Sequence, residues 1–269
     1  MMTSENFLTR LACEDACLVT VHATRGSVPR ENGAWMAVFS ADDALGSIGG
    51  GHLEFQAIAE ARRRLSGGDG DLLVRYVLGP ALGQCCGGEV HLRFERVAAV
   101  DIDDLRQRLA QPRTPLALFG GGHVGRALVR VFASLPLQLS WIDSRDQIFP
   151  VELPSNVVAE HSDPVQAAVP YLAPHSRVLI MSFSHAEDLE LVAACLLRQR
   201  HQADLPYVGL IGSKTKWASF SRRLRARGFT EQELAHVTCP IGLAGIPGKA
   251  PEVIALAVAA QILLTLPQD

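Results

Sequence analysis

The stretch Leu118-Phe119-Gly120-Gly121-Gly122-His123-Val124-Gly125-Arg126-Ala127, in the middle of the chain, decides the fold. Before it, Pro115 to Phe119 is short and apolar enough for a buried strand, and after it Arg126 to Phe132 spaces its apolar residues as a helix does. Strand, glycine turn and helix in that order make a dinucleotide-binding unit. In such a unit Gly120 allows the tight turn, Gly122 leaves room for a pyrophosphate against the backbone, and Gly125 lets the helix pack closely on the sheet. Uncapped amides at the helix start would face the anion. The next apolar run, Leu137 to Ile142, ends in Asp143, about twenty residues on, where a carboxylate would meet a ribose hydroxyl. Fold and ligand are separable, so the same glycines also suit plain close packing.

Downstream, strands and helices alternate. The pattern predicts a strand at Val157 to Ala159, a helix at Pro164 to Leu172, a strand at Arg177 to Phe183, a helix at Ala186 to Arg200 and a strand at Tyr207 to Ile211. This is the signature of an α/β fold with a mostly parallel sheet covered by helices on both faces. Ligands in such sheets sit beyond the carboxyl ends of the strands. The Gly120 turn, the segment Ser182 to Asp188 and the segment Gly212-Ser213-Lys214-Thr215-Lys216 should therefore share one rim. Lys214 and Lys216 suit either a phosphate contact or a solvated helix start.

Upstream, the spacing predicts a short helix from Glu5 to about Asp15 and strands at Cys17 to Ala23 and Ala34 to Phe39. Cys13 and Cys17, four apart, read as buried small hydrophobes, since no metal-site partners follow. Between the strands, Arg25 to Gly33 has turn composition and two arginines, suited to an anion or to a solvated hairpin loop. A second glycine cluster, Gly46-Ser47-Ile48-Gly49-Gly50-Gly51-His52-Leu53-Glu54, runs into a helix reaching about Leu65. Bare amides at that helix start suit close approach of a phosphate or a pterin-like ligand. Strands at Leu72 to Leu78 and Glu89 to Phe94 flank a loop ending Gln84-Cys85-Cys86-Gly87-Gly88, where a cysteine followed by glycines is sterically open. The expected organisation is a smaller α+β domain over residues 1–98, a connecting helix and linker over 99–114, and a Rossmann-like domain over 115–269.

Composition sets outer limits. A chain of 269 residues with 48% hydrophobic content buries a large core, and a net charge of -3 with a pI near 6.3 gives no electrostatic reason for a nucleic-acid partner. The start of the sequence lacks a basic region followed by an apolar run, and Val253 to Leu266 is too short to span a bilayer. A cytoplasmic protein without a membrane partner is expected. Six cysteines in a chain of this length do not make a disulfide scaffold.

One set of ordered motifs goes beyond what physics alone supplies. Gly26-Ser27-x-Pro29-Arg30-x-x-Gly33-Ala34, Gly46-Ser47-Ile48-Gly49-Gly50-Gly51-x-Leu53-Glu54, Cys86-Gly87-Gly88, Phe119-Gly120-x-Gly122-His123-Val124-Gly125, Asp143-Ser144-Arg145, Gly212-Ser213-Lys214 and Cys239-Pro240-Ile241-Gly242-Leu243 occur in sequence. Across nearly its whole length the chain resembles the XdhC/CoxI family, accessory proteins of xanthine dehydrogenase and related molybdenum hydroxylases. The resemblance implies a dimeric chaperone, not itself the hydroxylase. Such a chaperone binds molybdenum cofactor, protects it while a cysteine desulfurase-type sulfurase installs its terminal sulfido ligand, and inserts it into the apo-enzyme. It implies cofactor contacts from Ser27 and Arg30, from Gly49, Gly50, Gly51 and Glu54, and from Gln84, Cys85, Cys86, Gly87 and Gly88, with Cys86 the candidate ligand to the metal. In the second domain it implies Gly120, Gly122, His123 and Gly125, together with Asp143, Arg145, His185, Ser213 and Lys214. Where the family commonly has Thr-His-x-His-x-x-Asp, this chain has Ser182-Phe183-Ser184-His185-Ala186-Glu187-Asp188, with one histidine fewer. A frequent Ala-Glu pair stands as Ala260-Gln261, a position read as surface or interface.

The residues by themselves also support another class of function, an NAD(P)-dependent oxidoreductase using Gly120 to Gly125, with His185 or Lys214 as acid-base group. A third reading keeps the Rossmann domain as a ligand-free platform for protein contacts.

Overall fold

In the computed structural model, which describes residues 2–40, 44–79, 87–110 and 112–267, the chain divides into two units, Met1–Ala110 and Gln111–Asp269. The first unit runs α1 (Met2–Leu11), β1 (Ala16–Arg25), β2 (Trp35–Phe39), β3 (Ala44–Gly46), α2 (Gly51–Leu65), β4 (Leu73–Val77), β5 (Glu89–Val97) and α3 (Ile102–Arg108). Its five strands form an antiparallel sheet in the order β3-β2-β1-β5-β4. β1 is central and apolar on both faces. Cys17, Val19 and Val21 pack with Leu53, Ala57 and Ala61 of α2, while Ala16 and Leu18 pack with Phe7, Leu11 and Leu105 on the opposite face. Burying a side chain of this kind stabilises by roughly 1.5–3 kcal/mol. α3, in the stretch expected to connect the domains, therefore packs within the first unit. Cys13 lies beyond the end of α1 and is exposed, contrary to its reading as a core residue, whereas Cys17 is buried.

The second unit holds β6 (Thr114–Phe119), α4 (His123–Phe132), β7 (Leu137–Asp143), β8 (Val157–His161), β9 (Arg177–Ile180), α5 (His185–Gln202), β10 (Tyr207–Leu210), α6 (Lys214–Ala226), α7 (Glu231–Leu234), β11 (Val237–Thr238) and α8 (Pro251–Leu263). Its six strands are all parallel, in the order β11-β10-β9-β6-β7-β8. The chain moves outward from β6 to β8, then returns to the other side of β6. The order reverses between β6 and β9, the place where such sheets bind ligands. Leu116, Leu118, Leu139 and Trp141 meet α4 and α8 on one face, and Ala117, Phe119, Val178 and Ile180 meet α5 and α6 on the other. The architecture is the expected one: a Rossmann-like parallel sheet with helices on both faces, preceded by a smaller α+β unit.

Local differences have physical causes. Val165–Tyr171 is a 3-10 helix and not an α-helix, because Pro170 removes an amide donor within it. β9 stops at Ile180, short of Phe183, because the amides of Ser182 and Phe183 turn to the carboxylates of Asp188 and Glu187. β3 and β11, of three and two residues, are too short to show a period. Among the described residues no helix is long and apolar enough to cross a membrane.

Candidate functional site

In the first unit the motif segments converge at one end of the sheet. β1 and β5 pair as far as Arg25 opposite Glu89, and the Leu78 amide donates to Gly88 O at 2.8 Å. Gly88 is pressed onto the loop after β1, where a Cβ would lie 2.2 Å from Ser27 O. The same loop touches the second glycine cluster, since a Cβ on Gly49, whose φ is +125°, would lie 2.5 Å from Pro29 Cγ. Arg30 Nη1 reaches Ser47 O at 3.5 Å, and its Nη2 pairs with Glu31 at 3.3 Å. The loop around residues 26–30 thus meets both the segment around residue 88 and that around residue 49, with Arg30 against the latter. Gln84, Cys85 and Cys86 lie outside the described residues.

The approach to the glycine cluster is partly occupied from within. Glu54, in the first turn of α2, folds back so that Oε2 accepts from Ser47 Oγ (2.8 Å), Ile48 N (3.1 Å) and Gly50 N (2.9 Å), while Gly49 N donates to Ser47 Oγ (3.1 Å). Of the cluster's amides, those of Ile48 and Gly50, just before the helix, already face a carboxylate, and Glu54 braces the turn. What the cluster leaves clear is bare backbone: among the described residues nothing lies within 4 Å of where a Cβ would stand on Gly50 or Gly87.

In the second unit, the turn after β6 is compressed by its neighbours. A Cβ on Gly120, at φ +124°, would lie 2.0 Å from Met181 O, and one on Gly125 would lie 2.0 Å from Gly120 O. Gly122 faces open space and His123 is exposed. Asp143, 1% exposed, is filled. Its Oδ2 accepts from Gly121 N (2.6 Å) and Arg145 Nη2 (2.8 Å), and its Oδ1 from Arg145 N and Nε (both 2.9 Å). The carboxylate expected to meet a ribose instead binds its own turn and its own arginine. Burial raises its pKa, but the Arg145 guanidinium and the two amides outweigh that and hold the group below the usual carboxylate value.

Further along the rim, Lys216 is neither a solvated residue nor a free phosphate ligand. Its Nζ donates to Asp188 Oδ2 (2.6 Å) and Ile211 O (2.8 Å), and Asp188 Oδ1 accepts from Ser182 N (2.9 Å) and Oγ (2.7 Å). Lys214 is exposed, Ser213 caps α6, and exposed His185 sits edge-on to Phe220 at 6.5 Å. Cys239 is half-buried with Sγ 3.9 Å from Ser213 O, and burial pushes its thiol up. Gln261 is a structural acceptor and not a surface feature: its Oε1 takes Tyr207 OH (2.9 Å) and Gly242 N (2.7 Å). Glu187, missed from the sequence, ties two rim loops together by accepting from Ser144 Oγ (2.7 Å) and Phe183 N (3.1 Å). Its one local signal was a helix-start position three after Ser184. Among the described residues no group of three or more His, Cys, Asp or Glu side chains is placed to hold a metal.

Fold and site together define a two-unit protein, a small antiparallel α+β unit followed by a Rossmann-like unit. The XdhC Rossmann domain family matches residues 116–262, and the XdhC and CoxI family matches residues 10–77. The chain belongs to the XdhC and CoxI family. The uncharacterized protein YqeB of Escherichia coli (strain K12) is 28% identical over 244 residues, which are 89% of this chain and 41% of YqeB. The chain thus spans about two-fifths of the length of that relative. A crystal structure described as a xanthine dehydrogenase from Bacillus halodurans superimposes with a TM-score of 0.78 at 19% identity, over 98% of this chain and 96% of that one, and shares the fold.

Proposed function

We propose that this protein is a carrier of molybdenum cofactor. It binds the cofactor, protects it while a cysteine desulfurase-type sulfurase installs the sulfido ligand, and delivers it to apo xanthine dehydrogenase or a related molybdenum hydroxylase. The reading is supported by family membership across both units. The observation that carries it is the meeting of the loop of residues 27–30 with two sequence-distant motif segments, around residues 49 and 88, in the first unit. The cargo pairs an anionic phosphate with a pterin dithiolene, and the residues suit both. Arg30 would donate to the phosphate, the bare backbone at Gly50 and Gly87 would admit a flat ring, and Cys86 would offer the metal a soft sulfur contact. The role is accessory and not catalytic, in a cytoplasmic homodimer.

An oxidoreductase using NAD needs a free carboxylate after β7, and the four hydrogen bonds on Asp143 leave none. Anaerobic equilibrium binding tests the proposal. Saturable binding of molybdenum cofactor is expected, weakened about ten-fold or more in Arg30→Ala, because a charge-assisted hydrogen bond is worth roughly 1.5–3 kcal/mol. No affinity in wild type, under conditions where an established carrier binds, would overturn it.

A further inference from the structure

The dinucleotide that a glycine-rich Rossmann turn implies does not fit the residues present, and the misfit centres on Arg145. A carboxylate offers about four acceptor positions, and in a dinucleotide-binding unit the acid closing the second strand spends them on ribose hydroxyls. On Asp143 the chain fills all of them, three from Arg145 and one from Gly121, at 2.6–2.9 Å. Arg145 is itself held. Its guanidinium lies 4.6 Å over the ring of Phe183, and the Phe183 amide is fixed by Glu187, which also takes Ser144 Oγ. A second contact closes the turn from the same side. Ile148 rests on Gly121, where a Cβ would lie 2.6 Å from Ile148 Cγ1, and Arg126 pins both by donating to Ile148 O (2.8 Å) and Gly121 O (3.2 Å).

A ribose entering here would bring hydroxyl donors to a carboxylate with no lone pair left, and a hydroxyl desolvated without an acceptor opposes binding. We propose that Arg145 is a specificity residue: a latch that occupies the ribose acceptor Asp143 and thereby excludes NAD(H) from the turn between β6 and α4. The inference concerns the second unit alone and holds whichever residues carry the molybdenum cofactor.

Fluorescence titration of the full chain with NADH, and separately with NADPH, tests it. Wild type is expected to saturate with neither. Arg145→Ala and Arg145→Gln, checked by circular dichroism, are expected to bind NADH at least ten-fold more tightly than wild type, and Asp143→Ala added to either should remove the gain. If Arg145→Ala does not fold, Arg145→Gln decides, since it keeps a polar side chain but loses the charge and the bidentate fork. Saturation of wild type with NADH would overturn the latch, and with NADPH would make Arg145 a recruiter of the 2′-phosphate. Folded variants binding no better than wild type, or a gain that survives Asp143→Ala, would equally overturn it.

Discussion

Asp143 is ionised and 1% exposed, a combination that survives because its hydrogen bonds come from a guanidinium and two amides. Its folded pKa is depressed below the usual value, so the pair contributes stability that is present above about pH 4 and is lost as pH falls through the folded value. Asp143→Asn cannot titrate. It is expected to melt below wild type at pH 7, with the gap narrowing as pH is lowered below about 4. Thermal melts over that range check it, and a gap independent of pH would contradict the assignment. The residue was legible in the sequence by position, as the acid closing a strand. Its occupancy was not, because the donors to it come from Gly121, on another strand's turn, and from an arginine whose direction is a tertiary matter. Lys216 teaches the same point, since its partner Asp188 lies on a different helix.

At the scale of the element, the glycines divide by what surrounds them. Gly120 and Gly125 are compressed by backbone oxygens, and Gly120 also sits at positive φ, whereas Gly122 has φ −70° and faces open space. Gly120→Ala is therefore expected to destabilise by about 2 kcal/mol or more and Gly122→Ala by about 1 kcal/mol or less, read from urea unfolding midpoints. Equal losses would show that the turn is not gripped as described. Elements of this kind were legible because backbone needs show locally, as a glycine triplet between an apolar run and a helical period. Glu54 was legible as a residue but not as a brace. A side chain that folds back over its own helix start to take two amides leaves no mark on composition, so the cluster looked open while two of its donors were already paired.

For the whole molecule, the parallel sheet and the smaller α+β unit followed from periodicity, whereas the antiparallel pairing of that unit and the convergence of the segments around residues 27, 49 and 88 depended on register across β1 and β5, which no single stretch encodes. That convergence gives the carrier proposal its most direct test. Wild-type protein is loaded anaerobically with molybdenum cofactor, freed of excess by gel filtration and mixed with apo xanthine dehydrogenase, beside a folded Cys85→Ser, Cys86→Ser double variant treated in the same way. The account predicts that loaded wild type restores hydroxylase activity and that the double variant restores little. Wild-type protein that emerges from filtration without cofactor, or that restores no more activity than buffer, would contradict it.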